Sequence, residues 1–137
     1  MQLDPSAFLA DPELLEALRK HSIPLACEAD RILFNQGDAS TGLYILLKGE
    51  AALSMTGEDG ALLMSIVATD GSLLGLPGLI GNQPYSLTAI ARSGAQVNFI
   101  ARDDFNALMQ SQLNLLVKVL QVLAAEVRSA RLAITQL

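Results

Sequence analysis

From about residue 25 to 101 the chain alternates short apolar runs with clusters of Gly, Asn, Asp and Pro. Arg31-Ile32-Leu33-Phe34 runs into Asn35-Gln36-Gly37-Asp38, and the apolar run Leu43 to Leu47 ends at Lys48-Gly49. Ala51, Leu53 and Met55 alternate with polar or small neighbours, then Thr56-Gly57-Glu58-Asp59-Gly60 forms a hairpin loop. Ala61 to Ala68 returns as a strand and stops at Thr69-Asp70-Gly71; Leu87 to Ala91 and Val97 to Ile100 are the last two runs. Turn signals spaced by about 8–12 residues predict an antiparallel sandwich or small barrel. No helix-length segment separates the strands, so βαβ units do not fit.

Both flanks carry the helical period instead. Asp11 is placed to cap a short helix, with Pro12 at its first position, Glu13 in its first turn, and Leu14, Ala17 and Leu18 on one face. His21-Ser22-Ile23-Pro24 ends it, because a residue before proline avoids the α region. Asp103-Asp104 reads as the cap of another short helix bearing Phe105, Leu108 and Met109. A long helix follows, whose apolar stripe is Leu113, Leu116, Leu120, Leu123, Val127, Ala130, Ile134 and Leu137. This 3-4 alternation predicts a dimer through the C-terminal helix. Val117, Val119 and Val122 widen the face, so the same helix also has a side to lay on its own barrel. In the heptad register Glu126 falls at g and Arg131 at the following e, which predicts an ion pair across a parallel dimer. The layout is one domain: a helical segment over 1–24, a barrel over 25–101, and C-terminal helices over 102–137.

Composition narrows the function. The chain has 137 residues, 51% of them hydrophobic and 17% charged, so it has ample surface to bury and is not disordered. A net charge of -5 and 4% aromatics argue against a phosphate-backbone surface or a base-stacking platform, and so against direct nucleic-acid binding. One Cys gives no intrachain disulfide, and one His gives no metal site built on several imidazoles. The first residues show no signal peptide, and the most apolar windows, 61–67 and 113–127, are broken before the roughly 20 residues of a membrane span. The reading is a soluble, cytoplasmic chain with no cofactor, no metal and no membrane partner.

Little in the chain suits catalysis. His21, at the end of the first helix, reads as a capping or solvated residue, and Cys27 as a half-buried structural thiol. The acidic residues sit singly or in turns, so no carboxylate pair is spaced for acid–base work. The distinctive segment is Asp70 to Ala91, where four glycines lie within eleven residues between two strands. Turns of this kind either present backbone N–H groups to an anion or simply let the chain bend.

The order of several short motifs then becomes specific. Phe34…Gly37-Asp38 is followed by Leu43-Tyr44-Ile45…Lys48-Gly49-Glu50, then Gly60, then Asp70-Gly71…Leu74-Gly75. Tyr85-Ser86-Leu87-Thr88-Ala89…Ala91 and Phe105 complete the series. Over about residues 10–134 the sequence resembles the cyclic-nucleotide-binding domain family, found in catabolite-activator-type (Crp/Fnr) regulators and in kinase regulatory subunits. The resemblance implies a mainly β fold, an eight-stranded jelly roll (double-stranded β-helix), with flanking helices and a long C-terminal dimer helix.

Two departures from the family pattern bear on function. Nucleotide-binding members carry a Glu after the glycine equivalent to Gly75, where it accepts the ribose hydroxyl; this chain has Leu76. They also carry an Arg before the Ser/Ala–Ala/Thr segment, where it pairs with the cyclic phosphate; this chain has Tyr85. Losing a buried charge partner costs about 3–5 kcal/mol and an unmet hydroxyl about 1–3 kcal/mol. Tight binding of cyclic AMP or cyclic GMP is therefore not expected.

The equivalent pocket would be formed by Leu74, Gly75, Leu76, Pro77, Leu79, Tyr85, Ser86, Leu87 and Thr88. It would either hold an apolar or aromatic effector oriented by the Tyr85 hydroxyl, or be filled by its own side chains. The resemblance implies that members of the transcription-factor branch continue into a helix-turn-helix domain; with the sequence stopping at Leu137, a stand-alone module is expected here. The expected function is a homodimeric sensory or regulatory module answering to a small effector or a protein partner, with a dimerisation protein bearing a vestigial pocket as the alternative. A metal enzyme on the same barrel is disfavoured by the single His.

Overall fold

The computed structural model describes residues 3–135. A short 3-10 turn, Pro5–Phe8, precedes α1 (Pro12–Lys20). The strands are β1 (Ile23–Leu25), β2 (Arg31–Phe34), β3 (Gly42–Lys48), β4 (Ala51–Thr56), β5 (Leu62–Ala68) and β6 (Ser72–Leu74), followed by the helix α2 (Leu76–Gly81). Then come β7 (Thr88–Ala91), β8 (Gln96–Ala101), α3 (Arg102–Ser111) and α4 (Leu113–Ile134). The eight strands form two four-stranded antiparallel sheets, ordered β1-β8-β3-β6 and β2-β7-β4-β5. This is the jelly roll expected.

The alternation of side chains across the first sheet divides the interior into two cores. Tyr44, Leu46, Leu74 and Val97 face the second sheet, where they meet Phe34, Leu53, Met64, Ile66 and Tyr85. Leu43, Ile45, Leu73 and Ile100 face the helices and pack with Leu14, Leu18, Phe105, Leu108, Leu115 and Val119. β3 is thus apolar on both faces, which explains its unbroken run from Leu43 to Leu47. β4 lies in the half-covered sheet and keeps the period-2 pattern, with Ala51 and Leu53 inward.

Local chemistry sets the ends of these elements. Asp11 caps α1, its carboxylate accepting from the N–H groups of Glu13 at 2.9 Å and Leu14 at 3.2 Å. Lys118 of α4 lies 3.1 Å from the Asp11 carboxylate and 3.7 Å from that of Glu13, tying α4 to α1. Its hydrogen bond holds the Asp11 carboxyl below the usual range. Asp103 and Asp104 do not cap α3: its N-cap is Ala101, without a side-chain bond, because β8 runs directly into the helix. Both carboxylates sit in the first turn, where the helix dipole still favours them.

Three elements were hidden in segments without period. Ile23–Leu25 is a strand paired with β8, so the barrel begins inside the segment expected to be helical. The glycine-rich stretch holds β6 and α2 rather than turns alone. α3 and α4 are separate helices bent by 119°, and among the described residues no single helix is long and apolar enough to cross a membrane.

Candidate functional site

The pocket lies where the second half of α4 crosses the mouth of the barrel. Its inner chamber is lined by Phe8, Phe34, Leu53, Leu74, Gly75, Pro77, Tyr85, Ser86, Leu87 and Glu126, and is only about 20 Å³. An outer chamber of about 210 Å³ adjoins it, lined by Leu3, Ala7, Met55, Val127, Ser129 and Ala130 and sharing Phe8, Pro77, Ser86, Leu87 and Glu126.

Tyr85 fills the inner chamber. Its ring is buried and stacks on Phe34 with centroids 4.0 Å apart, and Tyr44 tilts against Phe34 at 5.5 Å. The backbone is held equally firmly, as Tyr85 N donates to the Asp38 carbonyl at 2.9 Å and its own carbonyl accepts from Gly37 N at 2.8 Å. The hydroxyl donates to the Gly42 carbonyl at 2.7 Å and accepts from the N–H groups of Thr41 and Gly42 at 3.2 and 3.3 Å. It is therefore engaged by the start of β3 and does not orient an effector. Gly42 itself is fixed by its neighbour strand, since a Cβ there would lie 2.3 Å from the Ile100 carbonyl and 2.6 Å from the Phe99 ring.

Gly75 marks a change of direction. It has φ 94°, and a Cβ on it would lie 2.7 Å from the Tyr85 ring. Before it, Leu74 points into the barrel core; after it, Leu76 points into the helix core and is fully buried. Leu76 is thus not a wall of the pocket, and neither is Leu79, which lies in the same helix core. Thr88 also lies outside it, because its hydroxyl accepts from Gln36 N at 2.9 Å. Leu74, Gly75, Pro77, Tyr85, Ser86 and Leu87 all line the inner chamber. Arg102 is near but occupied, donating to the carbonyls of Leu79 at 2.9 Å and Ser40 at 2.6 Å.

Glu126 is the residue that sequence reasoning misplaced. It is not on the rim of a coiled coil; it faces the pocket, and its Oε2 is shielded from solvent without a hydrogen-bond partner among the described residues. Burial alone pushes its carboxyl up to about 8. The signal was present. Leu115, Val119 and Val122 turn toward the barrel, and Ser129 and Ala133 continue that face. Glu126 completes a 4-3-4-3-4 series among them, so it occupies a barrel-facing position.

The opposite face of α4 is uncovered. Leu113, Leu120, Val127 and Ile134, seven residues apart, are 69%, 49%, 50% and 58% exposed. Leu116, Leu123 and Ala130 lie half-buried beside them, and Leu137 falls outside the described residues.

A family model described as the cyclic nucleotide-binding domain matches residues 24–112. Among solved structures, the Thermus thermophilus catabolite activator protein aligns with a TM-score of 0.79 at 22% identity, over 97% of this chain and 62% of that one. A protein of a cyclic-GMP-dependent signalling pathway that regulates bacterial phytopathogenesis aligns with a TM-score of 0.74 at 27% identity, over 87% of this chain and 94% of that one. Among curated proteins, a lysophospholipase of Neurospora crassa is 27% identical over 122 residues, which is 85% of this chain but 8% of that enzyme. The corresponding Chaetomium globosum lysophospholipase matches at 26% over 105 residues, 77% of this chain and 7% of that one. The chain thus spans less than a tenth of these curated relatives and less than two thirds of the catabolite activator. With a matching model over most of its length and a shared two-sheet barrel, this chain belongs to the cyclic nucleotide-binding domain family.

Proposed function

We propose that the chain is a dimeric regulatory module of this family whose nucleotide position is closed to cyclic AMP and cyclic GMP. The observation that carries this reading is the Phe34–Tyr85 stack. It leaves the inner chamber about 20 Å³, room for roughly one water molecule. A cyclic phosphate entering there would displace a buried phenol already hydrogen-bonded to Gly42 and would meet no arginine. It would also face the Glu126 carboxyl, which supplies no positive charge to pair with an anion. The position of the family glutamate is lost, since Leu76 is turned into the other core.

A regulatory role rather than an enzymatic one is supported by the family match and by the pocket's lining. His21 has its Nδ1 2.8 Å from the Ala17 carbonyl, and neither it nor Cys27 lines the pocket. Dimerisation is supported by the exposed heptad of α4, from Leu113 to Ile134. Glu126, Val127, Ser129 and Ala130 of that helix also wall the outer chamber. An effector or partner protein acting there biases the seating of α4 on the barrel, and so the dimer. The inner chamber fits a self-filled site; the outer one leaves space for a small effector.

Calorimetric titration with cyclic AMP and cyclic GMP tests the central point. The expected result is no binding tighter than about 10 µM for either nucleotide; a tighter complex overturns it. Light scattering at micromolar concentration should report a dimer, and Leu120→Asp should convert it to a folded monomer.

A further inference from the structure

Glu126 is unnecessary to the fold as a carboxyl. A group that only filled space between α4 and the barrel would be Leu or Met, because an unpartnered buried carboxyl is costly. Among the described residues its Oε2 has no partner, and it stands on the wall shared by both chambers. No described Lys, Arg or His lines either chamber. From the 3-10 turn, β2, β4, β6, α2 and the segment before β7, the only other titratable lining group among the described residues is Tyr85, whose hydroxyl is held by Gly42. Arg128, its neighbour on α4, lines a separate cleft with Asp4 and Ser6.

Apart from Glu126 and the small hydroxyls of Ser86 and Ser129, the outer chamber is apolar. Its volume of about 210 Å³ can be compared with a cavity of about 150 Å³ that takes benzene. One ring and a short arm fit. We infer that this chamber binds a small, mostly apolar molecule bearing a protonated amine, with the ammonium on the Glu126 carboxylate and the apolar body against Met55, Pro77 and Leu87. The inference rests on the reading of the pocket as closed to cyclic nucleotides and adds the chemical class of the effector. An anion finds no positive partner and would disfavour ionisation of the carboxyl, and a neutral alcohol gains a hydrogen bond without charge assistance.

Proton balance supplies an independent readout. The empty site holds its carboxyl up to about 8, so it is mostly protonated at neutral pH. Pairing with a cationic amine needs the carboxylate, and the carboxyl proton leaves to buffer. Affinity should therefore rise with pH from about 6 to 8, with nearly one proton released per ligand near neutrality.

The test titrates the full chain with phenethylamine, phenethyl alcohol and phenylpropionate, in phosphate and Tris buffers of different ionisation heat. The amine should bind about tenfold or more tighter than the alcohol, the acid should be weakest, and the buffers should reveal proton release. Glu126→Gln should lose about tenfold for the amine and leave the alcohol unchanged. Equal binding of acid and amine, or an unchanged amine affinity in the variant, overturns the inference. If that variant does not fold, the amine-to-alcohol ratio and the proton count in the parent protein decide. Tight cyclic AMP binding would bring down the underlying reading; no cyclic AMP binding together with no amine preference brings down this inference alone.

Discussion

Tyr85 and Glu126 line the same inner chamber, and the fold treats them differently. Around Tyr85 every polar atom has a partner and the space is filled, by Phe34 on the ring and Gly42 on the hydroxyl. Around Glu126 a carboxyl oxygen has no partner among the described residues, and roughly ten times more room adjoins it than lies in the inner chamber. The inner half behaves as core: each group there adds to stability. The outer half leaves a polar group unmet in the protein alone, as a site that awaits a ligand does. On the function proposed above, the nucleotide position belongs to the structural half and the helix-facing rim to the half that would answer a ligand.

The comparison can be broken most sharply by attempting to rebuild the nucleotide site. Leu76→Glu restores the family residue in sequence but puts a carboxyl into the core formed by Leu14, Leu43 and Phe105. Lost apolar burial and an unpaired buried charge together should cost about 6 kcal/mol, enough to abolish folding. Retained stability, measured by urea denaturation, would show that Leu76 can turn into the pocket.

Glu126 offers the next largest effect. Its carboxyl is raised from 4.5 in the unfolded chain to about 8 in the folded one, so the folded state holds the proton more tightly. Its stabilising contribution is therefore full below about pH 4.5 and is lost as pH rises through 8, a decline of roughly 4 kcal/mol. Glu126→Leu should remove that decline and be more stable than the parent at pH 8, with little change near pH 5. Identical pH profiles of urea stability for the two proteins would place the carboxyl in water. The inner half is probed more gently by Tyr85→Phe, which strands the Gly42 carbonyl and should cost about 1–2 kcal/mol without opening space for a nucleotide.

What the sequence determined by itself was local and periodic. β2 coincides with Arg31–Phe34, Asp11 caps where its side chain allows, and the alternation of Ala51 and Leu53 marks the inward face. These depend on residues a few positions apart, and propensity and period report them directly. β1 and the β6–α2 segment were illegible because three-residue strands and a six-residue helix are too short for a period to register. Their pairing with distant strands makes them. The site was divided by the same line. Pro77, Tyr85, Ser86 and Leu87 could be placed at the pocket from their order in the chain, but the direction of each side chain could not. One residue separates Leu74 and Leu76, and the left-handed turn at Gly75 sends them into different cores. α4 carries two apolar stripes of the same spacing, and helical period alone cannot say which one meets the barrel. Only the packing of that helix against the 3-10 turn and the barrel mouth turned Glu126 inward, because burying Leu115, Val119 and Val122 fixes the rotation of every residue that follows.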